Sequence, residues 1–257
     1  MLFKKNFSPA YVISNEDQRW ATTVVPNVRK VLTVTGSGDQ AIFYTLAGAT
    51  IVDTFDMTYN ARAIQDIKFA AIKKCSIQEY FKLLTDLFYA HNISTIPDMK
   101  KIMPMLPRET CEIIGHPWNT DMFQAGMDAT YYPENILTHA EYMKLRKKLK
   151  NPFNFVQCDL YDLSAKISDT YDLINISNIF DYCYDAVTQA NILRGLTDHL
   201  NIGGHIAYLP QRQQFDYSVV RLTSPNGAKL EYKTTKSNNA STPNRIDTKI
   251  ILFQRTR

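Results

Sequence analysis

A glycine-punctuated turn between two strand-like runs constrains this chain more than any other feature. Lys30 to Val34 is an apolar run, Thr35-Gly36-Ser37-Gly38-Asp39-Gln40-Ala41 turns, and Ala49 to Phe55 forms a second run that delivers the carboxylate Asp56. Gly36 and Gly38 let the backbone turn tightly and approach a ligand, Ala41 permits close packing of a helix on a strand, and Asp56 is placed to accept hydrogen bonds from ribose hydroxyls. The pattern predicts strand, turn, helix, strand, with a nucleoside-bearing ligand at the turn.

The fingerprint reads G-x-G-x-x-A, which a dinucleotide site shares, so the residue that decides is Asp39. A carboxylate where a pyrophosphate would lie repels it. The same carboxylate suits a ligand carrying an ammonium and a sulfonium, as S-adenosylmethionine (SAM) does, and this favours SAM over NAD. The plainer alternative is that Asp39 caps the following helix and the glycines serve only the turn.

With 257 residues and 45% hydrophobic content the chain can bury a full core. Cys75, Cys111, Cys158 and Cys183 show no C-x-x-C pairing, and His91, His139, His199 and His205 have no metal-ligand spacing, so no metal is expected. His116, followed by Pro117-Trp118, is the histidine whose neighbours suggest a pocket, the alternative being a structural or exposed role. The first residues lack a signal-peptide apolar region, which leads to the expectation of a cytoplasmic protein. The net charge is +4, and the basic run Lys144 to Lys150 reads as a solvated helix face or a phosphate contact. No apolar stretch approaches the roughly 20 residues that span a bilayer, although a lipid substrate can be met at a surface.

Residues 1-25 place polar groups ahead of the first core strand and are expected to lie over the cofactor cleft. Residues 26-257 then read as a doubly wound α/β domain with a mostly parallel sheet, interrupted at 75-150 by a mainly helical cap. Within the domain, Gln40 to Ala47 and Tyr59 to Lys74 have helical apolar spacing, with Gly48 and Thr58 as terminator and cap. In the cap, Phe88, Tyr89, Trp118, Phe123, Tyr131 and Tyr132 line a substrate pocket or form a small core of their own. Beyond it come strands at Phe153 to Cys158 and Tyr171 to Ser177, and a helix from Asp185 to Leu200 stopped by Gly203-Gly204. Strands at His205 to Leu209, Tyr217 to Leu222 and Lys249 to Gln254 follow, with Lys233 to Asn244 as a polar loop.

The stretch Val31 to Gln40, the tetrapeptide Asp53-Thr54-Phe55-Asp56 and the helix containing Gln65 to Ile72 resemble class I SAM-dependent transferases. More narrowly they resemble the betaine-lipid 3-amino-3-carboxypropyl transferases and short bacterial relatives sharing Thr-Gly-Ser-Gly-Asp-Gln. Asn15-Glu16-Asp17 and Ser177 to Tyr182 support the likeness, which covers about half of the chain. The chain is short beside those enzymes, and Asp181-Tyr182 stands where they commonly show Asp-Trp. The resemblance implies a SAM donor whose aminocarboxypropyl arm, rather than its methyl, moves to a lipid acceptor.

Ligands of open α/β sheets sit beyond the carboxyl ends of the strands, which selects the candidate residues. Gly36, Ser37 and Gly38 meet the methionine portion, Asp39 its ammonium, and Asp56 with Met57 the ribose. Asp159 beside Leu160 either accepts from the adenine amino group or caps the next helix. Asn178, Asp181 and Tyr182, following Ser177, face the acceptor, with Asp181 as general base or as a loop-ordering group. Asn15, Glu16 and Arg19 are candidates for the donor's amino-acid end or the acceptor. The leading reading is a SAM-dependent transferase acting on a small or amphiphilic acceptor. Methyl transfer, a non-catalytic SAM- or RNA-binding module, and an NAD oxidoreductase are the alternatives.

Overall fold

Alternate residues of the central strands feed two separate cores, and this division organises the molecule. The computed structural model describes residues 10–14, 16–89, 96–115, 123–124, 136–182, 185–210, 215–238 and 248–257. The order is β1 (Ala10–Tyr11), α1 (Gln18–Ala21), β2 (Lys30–Val34), α2 (Asp39–Ala47), β3 (Ile51–Asp56) and α3 (Tyr59–Lys74). Then come α4 (Ile77–Tyr89), α5 (Met99–Ile102), α6 (Arg108–Ile114), β4 (Phe123–Gln124) and α7 (His139–Lys148). β5 (Asn154–Gln157), α8 (Leu163–Lys166), β6 (Tyr171–Asn175), α9 (Ala186–Thr197) and β7 (Leu200–Tyr208) follow, and β8 (Arg221–Thr223), β9 (Lys229–Asn238) and β10 (Thr248–Arg255) close the chain.

Eight strands form one sheet in the order β5-β3-β2-β6-β7-β10-β9-β8. β5, β3, β2, β6 and β7 run parallel, and β10 is inserted antiparallel between β7 and β9. Val31, Leu173, Ala207 and Leu252 pack with α2 and α3 on one face. Leu32, Ile174, Ile206 and Phe253 pack with α8 and α9 on the other. This is a doubly wound, Rossmann-like sheet with the strand order of the class I SAM-dependent methyltransferase fold. The order reverses between β2 and β6, which is where such sheets open a crevice at the carboxyl ends of their strands.

α3 forms as its pattern requires, since the Thr58 side chain accepts from Asn60 N (3.1 Å) and starts the helix. α4 to α7 extend its layer: Leu83, Met99, Ile102, Ile113 and Tyr142 join the same core as Ile64, Ile67 and Ala71. The described part of the 75–150 segment therefore buttresses α3. The side chains of Phe88, Tyr89 and Phe123, and the whole of Trp118, Tyr131 and Tyr132, lie outside the described residues.

Three expectations are corrected, the first being that Tyr217–Val219 is a 3₁₀ turn and the strand expected there begins at Arg221. Gly203 and Gly204 do not stop a helix, because α9 ends at Thr197 and both glycines sit inside β7. They form a bulge against β6, where the register passes from Tyr171↔Leu200 to Leu173↔His205. Gly203 has φ +83, and a β-carbon on Gly204 would lie 3.0 Å from Tyr171 O. The polar stretch after Lys233 is a strand as far as Asn238, paired with β10 from Arg255↔Leu230 to Thr248↔Asn238. Among the described residues no helix is long and apolar enough to cross a membrane.

Candidate functional site

The glycine turn and Asp56 are joined directly. β2 and β3 pair in register to Val34↔Phe55, so the turn after β2 and the residue ending β3 emerge side by side. Gly36 takes φ +50, and its N–H donates to Asp56 Oδ2 (3.1 Å), while Thr58 N donates to Oδ1 (3.1 Å). A carboxylate has about four acceptor sites, so both oxygens keep capacity for further donors. Burial pushes the Asp56 carboxyl up to about 6, against the lowering effect of the Thr58, Gly36 and Met57 backbone groups.

A cavity of about 420 Å³ opens beside this wall, at the carboxyl ends of β2, β3 and β5. Val34, Phe55 and Leu160 give it an apolar floor, and Asp56 and Asp159 supply its carboxylates. Asp159 Oδ1 accepts from Tyr161 N (3.1 Å), which orders its own turn. Met57, Tyr161 and Tyr182, 51%, 55% and 68% exposed, form the rim. The structure thus brings together Asp56, Met57, Asp159, Leu160 and Tyr182. No cationic side chain is among the described residues that line the cavity.

Asp39 is placed differently from the open carboxylate the sequence suggests. It is buried at the first turn of α2, and its Oδ2 accepts from Ser14 N (2.7 Å) and Ser37 Oγ (2.9 Å). Its Oδ1 is paired with the ammonium of Lys68, which is 0% exposed. Burial draws the Lys68 pKa below its ordinary value, against the opposing pull of Asp39. Lys68 escaped the sequence reading, although it stands four residues from both Ile64 and Ile72 on the buried stripe of α3. Gly38 (φ +80) serves that helix too, since a β-carbon there would lie 3.1 Å from Gln65 Cα.

Beyond β6 a chain of buried polar groups assembles. Ser177 has φ +48, a left-handed conformation that costs a non-glycine residue about 1–2 kcal/mol. Asn175 Oδ1 holds it by accepting from Ser177 N (2.8 Å). Ser177 Oγ donates to Glu16 Oε1, and Gln18 Nε2 donates to Glu16 Oε2 (3.1 Å). Gln40 Nε2 reaches the same oxygen at 3.5 Å, while its Oε1 is buried without a partner among the described residues. Burial first, and the nearby Asp181 charge last, raise the Glu16 carboxyl. Asp181, in the 3₁₀ turn Ile179–Tyr182, is buried and accepts from Tyr208 OH. Asn178 is half-buried at the start of that turn, its carbonyl accepting from Asp181 N (2.9 Å).

Arg19 grips Glu141 through both guanidinium nitrogens, with Nη2–Oε2 at 2.7 Å, and donates to Ile136 O (3.0 Å), so its contacts run to α7. The basic run of α7 is bound to helix ends. Lys144 Nζ donates to Leu46 O (3.1 Å) and Lys148 Nζ to Thr45 O (3.0 Å) at the carboxyl end of α2, and Arg146 Nη2 donates to Lys73 O (3.0 Å) at the end of α3. A second cavity, about 460 Å³, lies at the amino ends of β3 and β5, away from the groups assembled above. Asn15 and His116 lie outside the described residues. Among the described residues, no three His, Cys, Asp or Glu side chains are grouped to hold a metal.

No family model matches the sequence, and no curated protein matches it. Among solved structures it is similar to the rRNA methyltransferase AviRa from Streptomyces viridochromogenes, at 13% identity over 97% of this chain and 86% of that one, with a TM-score of 0.47. It is also similar to the N-methyltransferase NodS from Bradyrhizobium japonicum WM9, at 9% identity over 93% of each chain and a TM-score of 0.44. TrmN from Thermus thermophilus is matched at 13% identity over 94% of this chain and a TM-score of 0.44, and the chain spans 48% of its length. The strand order described above, rather than these likenesses, identifies the fold.

Proposed function

We propose that the chain is a SAM-dependent transferase that alkylates a small or amphiphilic acceptor, moving the 3-amino-3-carboxypropyl arm. The observation that carries the donor assignment is the hydrogen bond from Gly36 N to Asp56, which ties the glycine turn to a carboxylate that lines the 420 Å³ cavity. Small-molecule sites combine apolar walls with a few placed polar groups. Asp56 suits ribose hydroxyls, and Asp159 beside Leu160 suits the adenine amino group. Two carboxylates and no cation on the lining favour a sulfonium ligand and oppose a diphosphate.

Bound there, SAM supplies an electrophilic carbon: the acceptor's nucleophile bonds to it as the carbon–sulfur bond breaks and the electron pair stays on sulfur. The protein's tasks are then to align the acceptor and take up its proton. Asp181 takes that proton, with Tyr208 OH fixing one carboxylate oxygen. Asn178 and the exposed Tyr182 stand on the same turn, next to the incoming acceptor. The apolar rim of Met57, Tyr161 and Tyr182 supports an acceptor with an apolar portion. The choice of arm rests on the sequence resemblance.

The test is chromatography of the adenosine-containing product after incubating the protein with SAM and a cell extract. Methylthioadenosine is expected. S-Adenosylhomocysteine would replace the aminocarboxypropyl assignment by methyl transfer, and neither product, with no calorimetric heat for SAM, would end the reading.

A further inference from the structure

Gln189 stands on the buried stripe of α9 with Ile192, Leu193 and Leu196. A carboxamide there needs partners for both its oxygen and its nitrogen, since a buried polar group without one is costly. It finds them on two other elements. Nε2 donates to Phe180 O (3.2 Å), in the 3₁₀ turn Ile179–Tyr182, and Oε1 accepts from Tyr217 OH (2.6 Å), in the 3₁₀ turn Tyr217–Val219. The amide has one orientation that satisfies both, because Phe180 O can only accept and so faces the nitrogen, which leaves the oxygen for Tyr217. The Tyr217 side chain then meets that of Tyr208 edge-on (5.6 Å), Tyr208 packs on Phe180 (5.3 Å), and Tyr208 OH donates to Asp181, the residue after Phe180. These contacts close a circuit that leaves the Ile179–Tyr182 turn, passes through α9, Tyr217 and β7, and returns to the same turn.

We propose that Gln189 is a positioning residue for group transfer: by holding Phe180 O and the Tyr217 hydroxyl together it fixes the turn that carries Asp181. This rests on the transferase reading above, in which Asp181 takes up the acceptor's proton. Three observations carry it. The turn is a single four-residue 3₁₀ segment, a form with poor hydrogen-bond geometry of its own, and it depends on outside ties to keep one shape. Those ties fall on consecutive residues, the Phe180 carbonyl from α9 and the Asp181 carboxylate from β7, so the backbone and the side chain that matter are clamped from two sides. Ile179 and Tyr182 of the same turn line the 420 Å³ cavity, whereas Gln189 is buried and is not among the described residues that line it. Its influence on the site therefore passes through the turn.

Gln189→Met keeps the length of the side chain and removes both hydrogen bonds. Three quantities are measured well below its melting temperature: the rate at which adenosine-containing product forms from SAM and cell extract, SAM affinity by calorimetry, and hydrogen exchange at the Asp181 amide, which donates to Asn178 O (2.9 Å). Product formation is expected to fall at least about 10-fold and SAM affinity to change by less than about 3-fold, because the displaced group serves the acceptor. Exchange at Asp181 is expected to quicken at least about 10-fold, while that of the Thr35 amide, which donates to Phe55 O (2.8 Å) beyond β2, stays as in the wild type. Wild-type turnover, or wild-type protection of Asp181, in folded Gln189→Met would overturn the proposal. Equal losses of affinity and turnover would overturn it too, since Gln189 would then only support the cavity wall. If Gln189→Met does not fold, Tyr217→Phe decides. It removes the hydroxyl that donates to Gln189 Oε1, keeps the aromatic contacts, and is expected to lower product formation about 3-fold or more with SAM affinity retained. Unchanged turnover in that variant would refute the circuit. Failure of the transferase reading is separate, because the wild-type protein then gives neither product nor heat with SAM, and exchange at Asp181 still reports whether Gln189 holds the turn.

Discussion

Gly38 lies against Gln65: a β-carbon at Gly38 would stand 3.1 Å from the Gln65 Cα, and φ there is +80. The glycine thus lets α3 approach the turn. Gly227 has a similar φ of +83 but nothing within 4 Å of its missing β-carbon. Gly227→Ala is expected to cost the left-handed conformation alone, about 1–2 kcal/mol. Gly38→Ala adds a backbone clash and is expected to cost about 1–3 kcal/mol more. Urea unfolding of the two variants checks the order, and equal losses would show that α3 yields freely.

Asp56 is predicted to titrate near neutrality. The folded state keeps its proton to about pH 6, while the unfolded chain releases it near the ordinary value of 3.8. Between those values the native state binds more protons, so stability falls as pH rises through the window and the full cost, about 3 kcal/mol, is present above it. Carbon-detected NMR of the Asp56 carboxyl should give a midpoint near 6 that drops when SAM is added, because ribose hydroxyls favour the ionised acceptor. A midpoint near the ordinary 3.8 without ligand would contradict the burial argument.

Tyr208→Phe removes the hydroxyl that donates to buried Asp181 and leaves the ring contacts with Phe180 (5.3 Å) and Tyr217 (5.6 Å) in place. The expected loss is about 1.5–3 kcal/mol of stability, the range for a hydrogen bond to a charged group. Product formation should fall further than SAM binding. A variant with unchanged turnover would remove Asp181 from the proton-accepting role.

Arg19 holds the Glu141 carboxyl at about 2, well below its ordinary 4.5. The pair is 32% and 25% exposed at its side chains, and solvent screening limits its contribution to about 1 kcal/mol. That stability is fully present above pH 4.5 and disappears as pH falls through about 2. A double-mutant cycle with Arg19→Met and Glu141→Gln should give a coupling of about 1 kcal/mol at neutral pH that shrinks in high salt. A coupling insensitive to salt would mean the contact is packing rather than charge.

The parts of the fold governed by local chemistry were legible in the amino acids. Thr58 before an apolar stripe marks the start of α3, and glycines flanking Ser37 mark the turn. Long-range partners were not legible. Lys68 reads as one more charged residue on a helix, and only the arrival of Asp39 from 29 residues away explains its burial. Gly203 and Gly204 resemble a helix stop because the bulge they form is defined by β6, not by their neighbours. β9 carries few buried side chains, Leu230 being one, and is a strand because β10 pairs with its backbone. The contact of Glu16 with Ser177 joins residues 161 positions apart.

Thr54 and Asn154 are joined across β3 and β5 although 100 positions separate them. To the ladder, everything between α3 and β5 counts as one closure whose entropy grows only with the logarithm of its length. Exposed residues can be gained, lost or exchanged along that crossover without shifting the β3–β5 register, whereas Leu83, Met99, Ile113 and Tyr142 are held by the core they share with α3. The scaffold and the equipment it carries are therefore free to diverge at different rates.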